Sequence, residues 1–277
     1  MVHNYHVTAT NWNQATDTLA KLVRTPRFGL FSDLDGTLAP IAPTPDAAHI
    51  SPRSRELLAE LGAELPSLAL ISGRRAASLA GKVGLPGLVY IGNHGLERWQ
   101  QGKTSILPDV EPYLQKLQAV KKELQPLALD GAFVEDKQVT LSFHYRQTPH
   151  PEQFASRHRA QIEELVARHG LVLFMGKMVF EVRPPIEMDK GIAFRRLVEE
   201  QKLDAALFLG DDVSDLNALR MARRLREENI CDAWGIGVQS DDAPEDLAAT
   251  ADFLAEGVLD VEELLAWLLT ARRASST

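Results

Sequence analysis

The stretch Phe31-Ser32-Asp33-Leu34-Asp35-Gly36-Thr37-Leu38 places two carboxylates two residues apart, then a glycine and a hydroxyl, directly after the apolar run Phe28 to Phe31. An apolar run of that length reads as a buried strand. In an open parallel sheet the carboxyl ends of the strands line the crevice where ligands bind, so Asp33 and Asp35 would project into a site. Two acids so placed can serve as nucleophile, as proton donor and acceptor, or as ligands to a hard cation. Taken alone, Asp-x-Asp-Gly also reads as a plain acidic turn. A calcium loop fails on spacing, because its glycine would fall at Leu38 and its closing glutamate at Thr44.

Other strand ends carry polar groups. Leu68 to Ile71 ends in Ser72-Gly73-Arg74, offering a hydroxyl that could donate to a phosphoryl oxygen or cap a helix. Leu88 to Ile91 runs into Gly92-Asn93-His94-Gly95, a ligand-facing turn or an ordinary tight one. Asp189-Lys190-Gly191 opens a helix, and Ala205 to Leu209 ends in Gly210-Asp211-Asp212-Val213-Ser214-Asp215. Three carboxylates within five residues repel one another unless a cation compensates them, although Asp212 and Asp215 also suit a helix start.

The elements that must position these groups follow from periodicity. Residues 1 to about 12 read as a loose leader, and Asn13 to Val23 as a short amphipathic helix. Pro40, Pro43 and Pro45 preclude regular structure, and Ser51-Pro52 opens a helix through Leu57, Leu58, Leu61 and Leu65. From Pro108 to Pro184 the order becomes α, β, β, α, β, β. Helices fall over Tyr113 to Leu124 and Pro151 to His169, alternating strands lie within Phe133 to Tyr145, and a hairpin-like pair turns at Met175-Gly176-Lys177. The expectation is an α/β core, residues 1–107 and 185–277, with a parallel sheet flanked by helices and an inserted α+β cap at 108–184. Trp234 to Val238 adds a strand, Asp260-x-x-Glu263 reads as the capping box of the last helix, and the tail ARRASST reads as disordered.

Composition narrows the function. The 277 residues are 45% hydrophobic with a net charge of −8, which argues against a nucleic-acid surface and requires local cations for any anionic substrate. The single cysteine, Cys231, excludes an internal disulfide and a multi-cysteine metal site. No apolar run approaches the roughly 18 residues of a membrane span, and MVHNYHVTATNWNQ lacks the features of a secretion signal. A cytoplasmic monomer with no membrane partner is expected.

Asp33-x-Asp35-Gly36-Thr37-Leu38, Ser72, Lys190 and Gly210 to Asp215 resemble, in order, the four motifs of the haloacid dehalogenase superfamily, mostly aspartate-nucleophile phosphatases. The resemblance spans about Phe28 to Phe253 and implies a Rossmann-like core. On it, Asp33 attacks phosphorus, Asp35 protonates the leaving oxygen and then activates water, and Ser72 and Lys190 hold the phosphoryl oxygens. Mg²⁺ is expected on the Asp33 carboxylate, the Asp35 carbonyl and Asp211, with Asp212 and Asp215 behind them.

A finer match is carried by Leu70 to Arg74, Gly92 to Glu97, Val134-Glu135-Asp136-Lys137, His144-Tyr145-Arg146, Gly176-Lys177, Glu181 to Pro184 and Asp189 to Gly191. These segments resemble trehalose-6-phosphate phosphatases, which implies a disaccharide phosphate as substrate. The resemblance adds Arg74, Asn93, His94, Glu135, Lys137, Arg146, Lys177 and Glu181 as substrate-binding candidates; carboxylates suit sugar hydroxyls, and Lys and Arg suit phosphate. Ser214-Asp215-Leu216-Asn217-Ala218-Leu219 departs from the family's usual Thr, Asp, Glu and later Phe. Glucosyl- or mannosyl-3-phosphoglycerate therefore stays open as substrate. A sugar phosphomutase would use the same nucleophile and is not excluded, whereas a non-catalytic sugar-phosphate sensor would be expected to have lost Asp33 or Asp35, and both are present.

Overall fold

Strands made of apolar runs without alternation need cover on both faces, and helices supply it on both sides of the core sheet. The computed structural model describes residues 9–42, 47–176 and 178–274. In chain order they form β1 (Thr10–Asn11), α1 (Thr16–Arg24), β2 (Phe28–Ser32), α2 (Pro52–Glu64), β3 (Ser67–Ile71), α3 (Ala76–Val83), β4 (Val89–Gly92), β5 (Glu97–Gln100), β6 (Lys103–Ile106), α4 (Leu114–Leu124), β7 (Phe133–Asp136) and β8 (Leu141–His144). There follow α5 (Pro151–Arg168), β9 (Val172–Gly176), β10 (Val179–Arg183), α6 (Lys190–Glu200), β11 (Ala205–Gly210), α7 (Val213–Glu227), β12 (Asp232–Val238), α8 (Leu247–Thr250), β13 (Phe253–Ala255) and α9 (Gly257–Arg273). Two compact units result: the chain to Thr104 together with Met188 onward, and Ser105–Glu187.

The first unit is built on a sheet of order β1-β13-β12-β11-β2-β3-β4-β5-β6, parallel from β1 to β4 and antiparallel between β4 and β5. Every residue of β2, β3 and β11 is buried. Leu30, Leu207 and Leu209 pack on one face with Leu58, Leu61, Leu264 and Leu268 from α2 and α9. Phe31 and Phe208 pack on the other with Phe194 and Leu219 from α6 and α7. The Phe194 ring lies 4.9 Å from Phe31, edge to face as aromatic quadrupoles favour, and 5.5 Å from Phe208 in a tilted contact. This aromatic group seats α6, and hence Lys190 at its first position, against the central strands.

The second unit is a four-stranded antiparallel sheet of order β7-β8-β10-β9. One face buries Leu141, Phe143, Phe180 and Val182 against Leu117 and Val120 of α4 and Ile162 and Leu165 of α5. Because side chains alternate along a strand, the register Glu135, Ser142, Glu181 places those three on the opposite face. The fold class is the expected one, an α/β core with an inserted αββαββ unit. No helix among the described residues is long and apolar enough to cross a membrane.

Several local expectations are corrected. Thr10 and Asn11 are not a loose leader: they pair in parallel with Phe253 and Leu254, and residues 1–8 lie outside the described residues. The first helix begins at Thr16, since Trp12–Gln14 form a 3-10 turn. Asp260 does not cap α9, whose N-cap is Glu256; its carboxylate accepts from Trp12 Nε1 at 2.8 Å and from the Glu256 amide at 2.7 Å. The cap stands four residues before the position that local pattern assigns it, and the Asp260 carboxylate serves both that N-cap amide and a tertiary partner. The tail is helical through Arg273, with Arg272 donating to the carbonyls of Val23 and Thr25; residues 275–277 lie outside the described residues, as do Pro43 and Pro45. The hairpin of β5 and β6 and the helix α3 are features that periodicity did not reveal.

Phe208 is fully buried in the central strand β11 against Phe194. Replacing it with Ala is expected to lower unfolding free energy by about 3–5 kcal/mol in urea titration, the usual range for an aromatic cavity. A loss below about 1 kcal/mol would contradict the packing described.

Candidate active site

Four neighbouring parallel strands, β11, β2, β3 and β4, end at the same edge, and the residues immediately beyond them are Asp211, Asp33, Ser72 and Asn93. The edge is the carboxyl one, where α/β sheets open. Asp33 is held there by its amide, which donates to the Leu209 carbonyl at 2.9 Å and so continues the β2–β11 ladder one residue past the strand. The chain then turns tightly. Gly36 adopts φ +84°, and a Cβ at that position would collide with the Asp211 carboxylate, so this position demands glycine on both counts. Thr37 follows, buried, its Oγ1 donating to Asp211 Oδ1 at 2.8 Å.

Lys190 reaches the same point from α6. Asp189 caps that helix by accepting from the Ile192 amide at 2.8 Å, and Gly191 lies so close to the Asn217 carbonyl that a side chain there would push α6 away from α7. The Lys190 ammonium, buried, donates to Asp215 Oδ1 at 2.8 Å and stands 3.2 Å from Asp33 Oδ1. The second contact is ionic but lacks hydrogen-bond geometry, and among the described residues Asp33 Oδ1 has no hydrogen-bond partner. Asp215 is fully engaged, its Oδ2 accepting from the Asp212 amide at 3.1 Å in the capping box of α7 while Oδ1 holds Lys190.

Asp33, Asp211 and Asp215 have carboxylate oxygens within 4.8 Å of one another and are all buried. One ammonium therefore faces three carboxyl groups. Burial, with Asp215, Asp211 and Asp35 adding to it and Lys190 opposing it, drives the Asp33 carboxyl well above the ordinary carboxylate range. Burial followed by Asp215 pushes Asp211 up to about 7, against the hydrogen bond from Thr37. Asp215 is raised by burial in spite of Lys190. For Lys190, burial disfavours the charged form, but Asp215 and Asp33 outweigh it and raise its pKa.

A divalent cation is the natural counter-charge to this excess, and the donors fit one. Asp33 Oδ1 is an oxygen with a lone pair to offer, Asp211 brings a second carboxylate beside it, and an all-oxygen set suits a hard ion such as Mg²⁺. The hydrogen bonds already made by Asp215 assign it to Lys190. The Asp35 side chain is not in the cluster; it pairs with Arg74 through two hydrogen bonds of 2.5 and 2.6 Å.

Ser72 is buried at the end of β3 and does not cap α3, whose N-cap is Arg75; its Oγ accepts from the Arg74 amide at 3.3 Å. Asn93 and His94 lie in the turn after β4, both with positive φ, their amides donating to the Arg74 and Ser72 carbonyls. In the second unit Glu135 pairs with His144 at 2.9 Å, Glu181 binds Arg183 and lies 3.9 Å from Lys137, and Arg146 is exposed beyond β8. Lys177 lies outside the described residues. Thr37 and Glu97 stand in the resembling segments but have no role assigned by the sequence. Thr37 is visible as the hydroxyl closing the first motif; Glu97, buried on β5 and accepting from the Ala76 amide, has a role only once β4 and β5 are known to pair.

Residues 31–243 match the family model described as Trehalose-phosphatase, which covers most of the chain and every core residue of the cluster. The chain belongs to the trehalose-phosphatase family. It is 33% identical over 204 residues to the trehalose-phosphate phosphatase of Mycobacterium tuberculosis H37Rv, covering 68% of this chain and 50% of that protein, so it spans about half the length of that relative. It is 28% identical over 272 residues to a probable trehalose-phosphate phosphatase 4 of Oryza sativa, covering 94% of this chain and 71% of that one. The C-terminal domain of Candida albicans trehalose-6-phosphate phosphatase superposes with a TM-score of 0.74 at 23% identity, over 95% of this chain and 98% of that one, a likeness of fold.

The raised Asp211 carboxyl sets a pH dependence. Without a cation the folded protein keeps that proton up to about pH 7, whereas an unfolded Asp releases it near 3.8, so folding stability from this group falls as pH rises between those values. A bound cation replaces the proton. Mg²⁺ added to chelator-stripped protein is therefore expected to raise the melting temperature more at about pH 7.5 than at about pH 5. An equal shift at both would contradict the assignment.

Proposed function

We propose that the chain hydrolyses trehalose 6-phosphate to trehalose and phosphate through an aspartyl-phosphate at Asp33, with Mg²⁺ as cofactor. The observation that carries this reading is the Asp33 carboxylate, buried at the end of a central strand, whose Oδ1 accepts no hydrogen bond among the described residues and faces the Lys190 ammonium at 3.2 Å. A nucleophile needs such an available oxygen, and a phosphoryl group needs the cation beside it.

In the first step an Asp33 oxygen forms a bond to phosphorus while the bond from phosphorus to the sugar oxygen breaks, and Asp35 gives that oxygen its proton. In the second, water attacks phosphorus, Asp35 takes the water proton, and the acyl-phosphate bond breaks to restore Asp33 and release phosphate. Lys190, held by Asp215, and the Ser72 hydroxyl stabilise the phosphoryl oxygens, on which charge is spread in a loose transition state. When bound by Asp33, the Asp35 carbonyl and Asp211, Mg²⁺ supplies charge neutralisation at the phosphoryl group. Glu135, Lys137, Arg146, Lys177 and Glu181 carry the sugar-recognition chemistry, carboxylates for hydroxyls and cations for phosphate.

Purified protein with Mg²⁺ and a panel of phosphorylated disaccharides and sugar acids is expected to release phosphate fastest from trehalose 6-phosphate. Asp33→Asn should lower that rate on the order of a thousandfold or more, the scale of losing a covalent nucleophile, with the melting curve retained. Near-normal turnover by this variant would reject the nucleophile, and faster release from a phosphoglycerate ester would reject the substrate.

A further inference from the structure

The Arg74 side chain is the more buried partner of its pair with Asp35, 14% exposed against 32%. Nε donates to Oδ2 and a terminal nitrogen to Oδ1, so one planar fork holds both carboxylate oxygens. The backbone that carries Arg74 is itself tied down. Its carbonyl accepts from the Asn93 amide at 2.8 Å, the Ser72 carbonyl accepts from the His94 amide at 3.0 Å, and the Arg74 amide donates to Ser72 Oγ. Two residues on, the Ala76 amide donates to the buried Glu97 carboxylate. Gly92 completes the fit: a Cβ there would stand 2.7 Å from the Arg74 carbonyl and 2.6 Å from Glu97 Oε1. The turn from Gly92 to Glu97 thus braces the loop after β3, and that loop aims a guanidinium at the acid two residues beyond Asp33.

We infer that Arg74 is a positioning residue for the acid–base step, acting through Asp35 and not on the substrate's phosphate. This rests on the role of Asp35 given above. A carboxylate has about four lone-pair sites, and a fork that occupies one on each oxygen fixes the plane of the group while leaving the outer sites for the proton exchanged with the leaving oxygen and with water. Lysine at this position keeps the charge and loses the fork, which separates orientation from simple attraction to an anion. The leaving group separates the steps: a sugar alkoxide needs a proton to depart, and p-nitrophenolate does not.

The test is single-turnover phosphoryl transfer by wild type, Arg74→Lys, Asp35→Asn and the double variant, on trehalose 6-phosphate and on p-nitrophenyl phosphate, with KM values and melting curves. Arg74→Lys is expected to slow transfer from the sugar ester by about tenfold or more, the cost of a misaligned catalytic group, with KM within about threefold. Release of p-nitrophenolate in the same variant should stay within about threefold of wild type, and in the Asp35→Asn background Arg74→Lys should add less than about twofold. A raised KM with an intact transfer rate would make Arg74 a phosphate ligand and overturn the inference, as would equal slowing of both esters or additive losses in the double variant. If Asp35→Asn alone slows both esters alike, the role of Asp35 fails first and the inference with it.

Discussion

Three buried carboxyl groups share one buried ammonium at the carboxyl edge of this sheet, and the surrounding structure is arranged around that imbalance. Removing an ionised carboxylate from water costs several kcal/mol unless it is paired, so Asp33, Asp211 and Asp215 cannot all be charged beside Lys190 alone. Protons or a cation must make up the difference. The upward displacement of all three acids is the proton answer, and the oxygens that remain available are the cation answer.

Holding the charges together depends on apolar packing some distance from them. Phe31, Phe194 and Phe208 fix α6 on the sheet, and the contact of Gly191 with the Asn217 carbonyl fixes α6 on α7. Lys190 and Asp215 therefore stand in register as the first turns of two helices that touch closely. Thr37 and Gly36 perform the same service for Asp211 from the loop after β2, one by a hydrogen bond and the other by having no side chain. Burial gives these contacts their force, because a charged hydrogen bond in a site closed to water is screened far less than one at the surface.

The parts of this arrangement that were legible in the sequence share a property: each is decided locally. Phe28 to Phe31 and Ala205 to Leu209 are apolar and short, so they are strands, and an acid directly after either must stand at a strand end. Lys190 follows an N-cap aspartate and opens a helix for the same local reason. What the sequence concealed depends on neighbours distant along the chain. Thr10 and Asn11 become a strand because β13, more than two hundred residues later, offers an edge, and Asp260 divides its carboxylate between the N-cap amide of α9 and Trp12. Arg74 and Asp35 were each visible as candidates, but their pairing requires β2 and β3 to be adjacent and the turn from Gly92 to Glu97 to brace the loop between. The order of the motifs lies in the sequence, whereas the hydrogen bond that gives Asp215 to Lys190 exists only once α6 and α7 are packed.

One divalent cation seated between Asp33 and Asp211 would balance the excess of carboxyl groups over ammonium. The most direct measurement is titration of chelator-stripped protein with Mn²⁺, followed by paramagnetic resonance of the free ion, for wild type and Asp211→Asn. One tightly held ion per wild-type chain, lost in the variant and displaced by Mg²⁺, is the result expected. Binding that survives in Asp211→Asn, or its absence from the wild type, would contradict it.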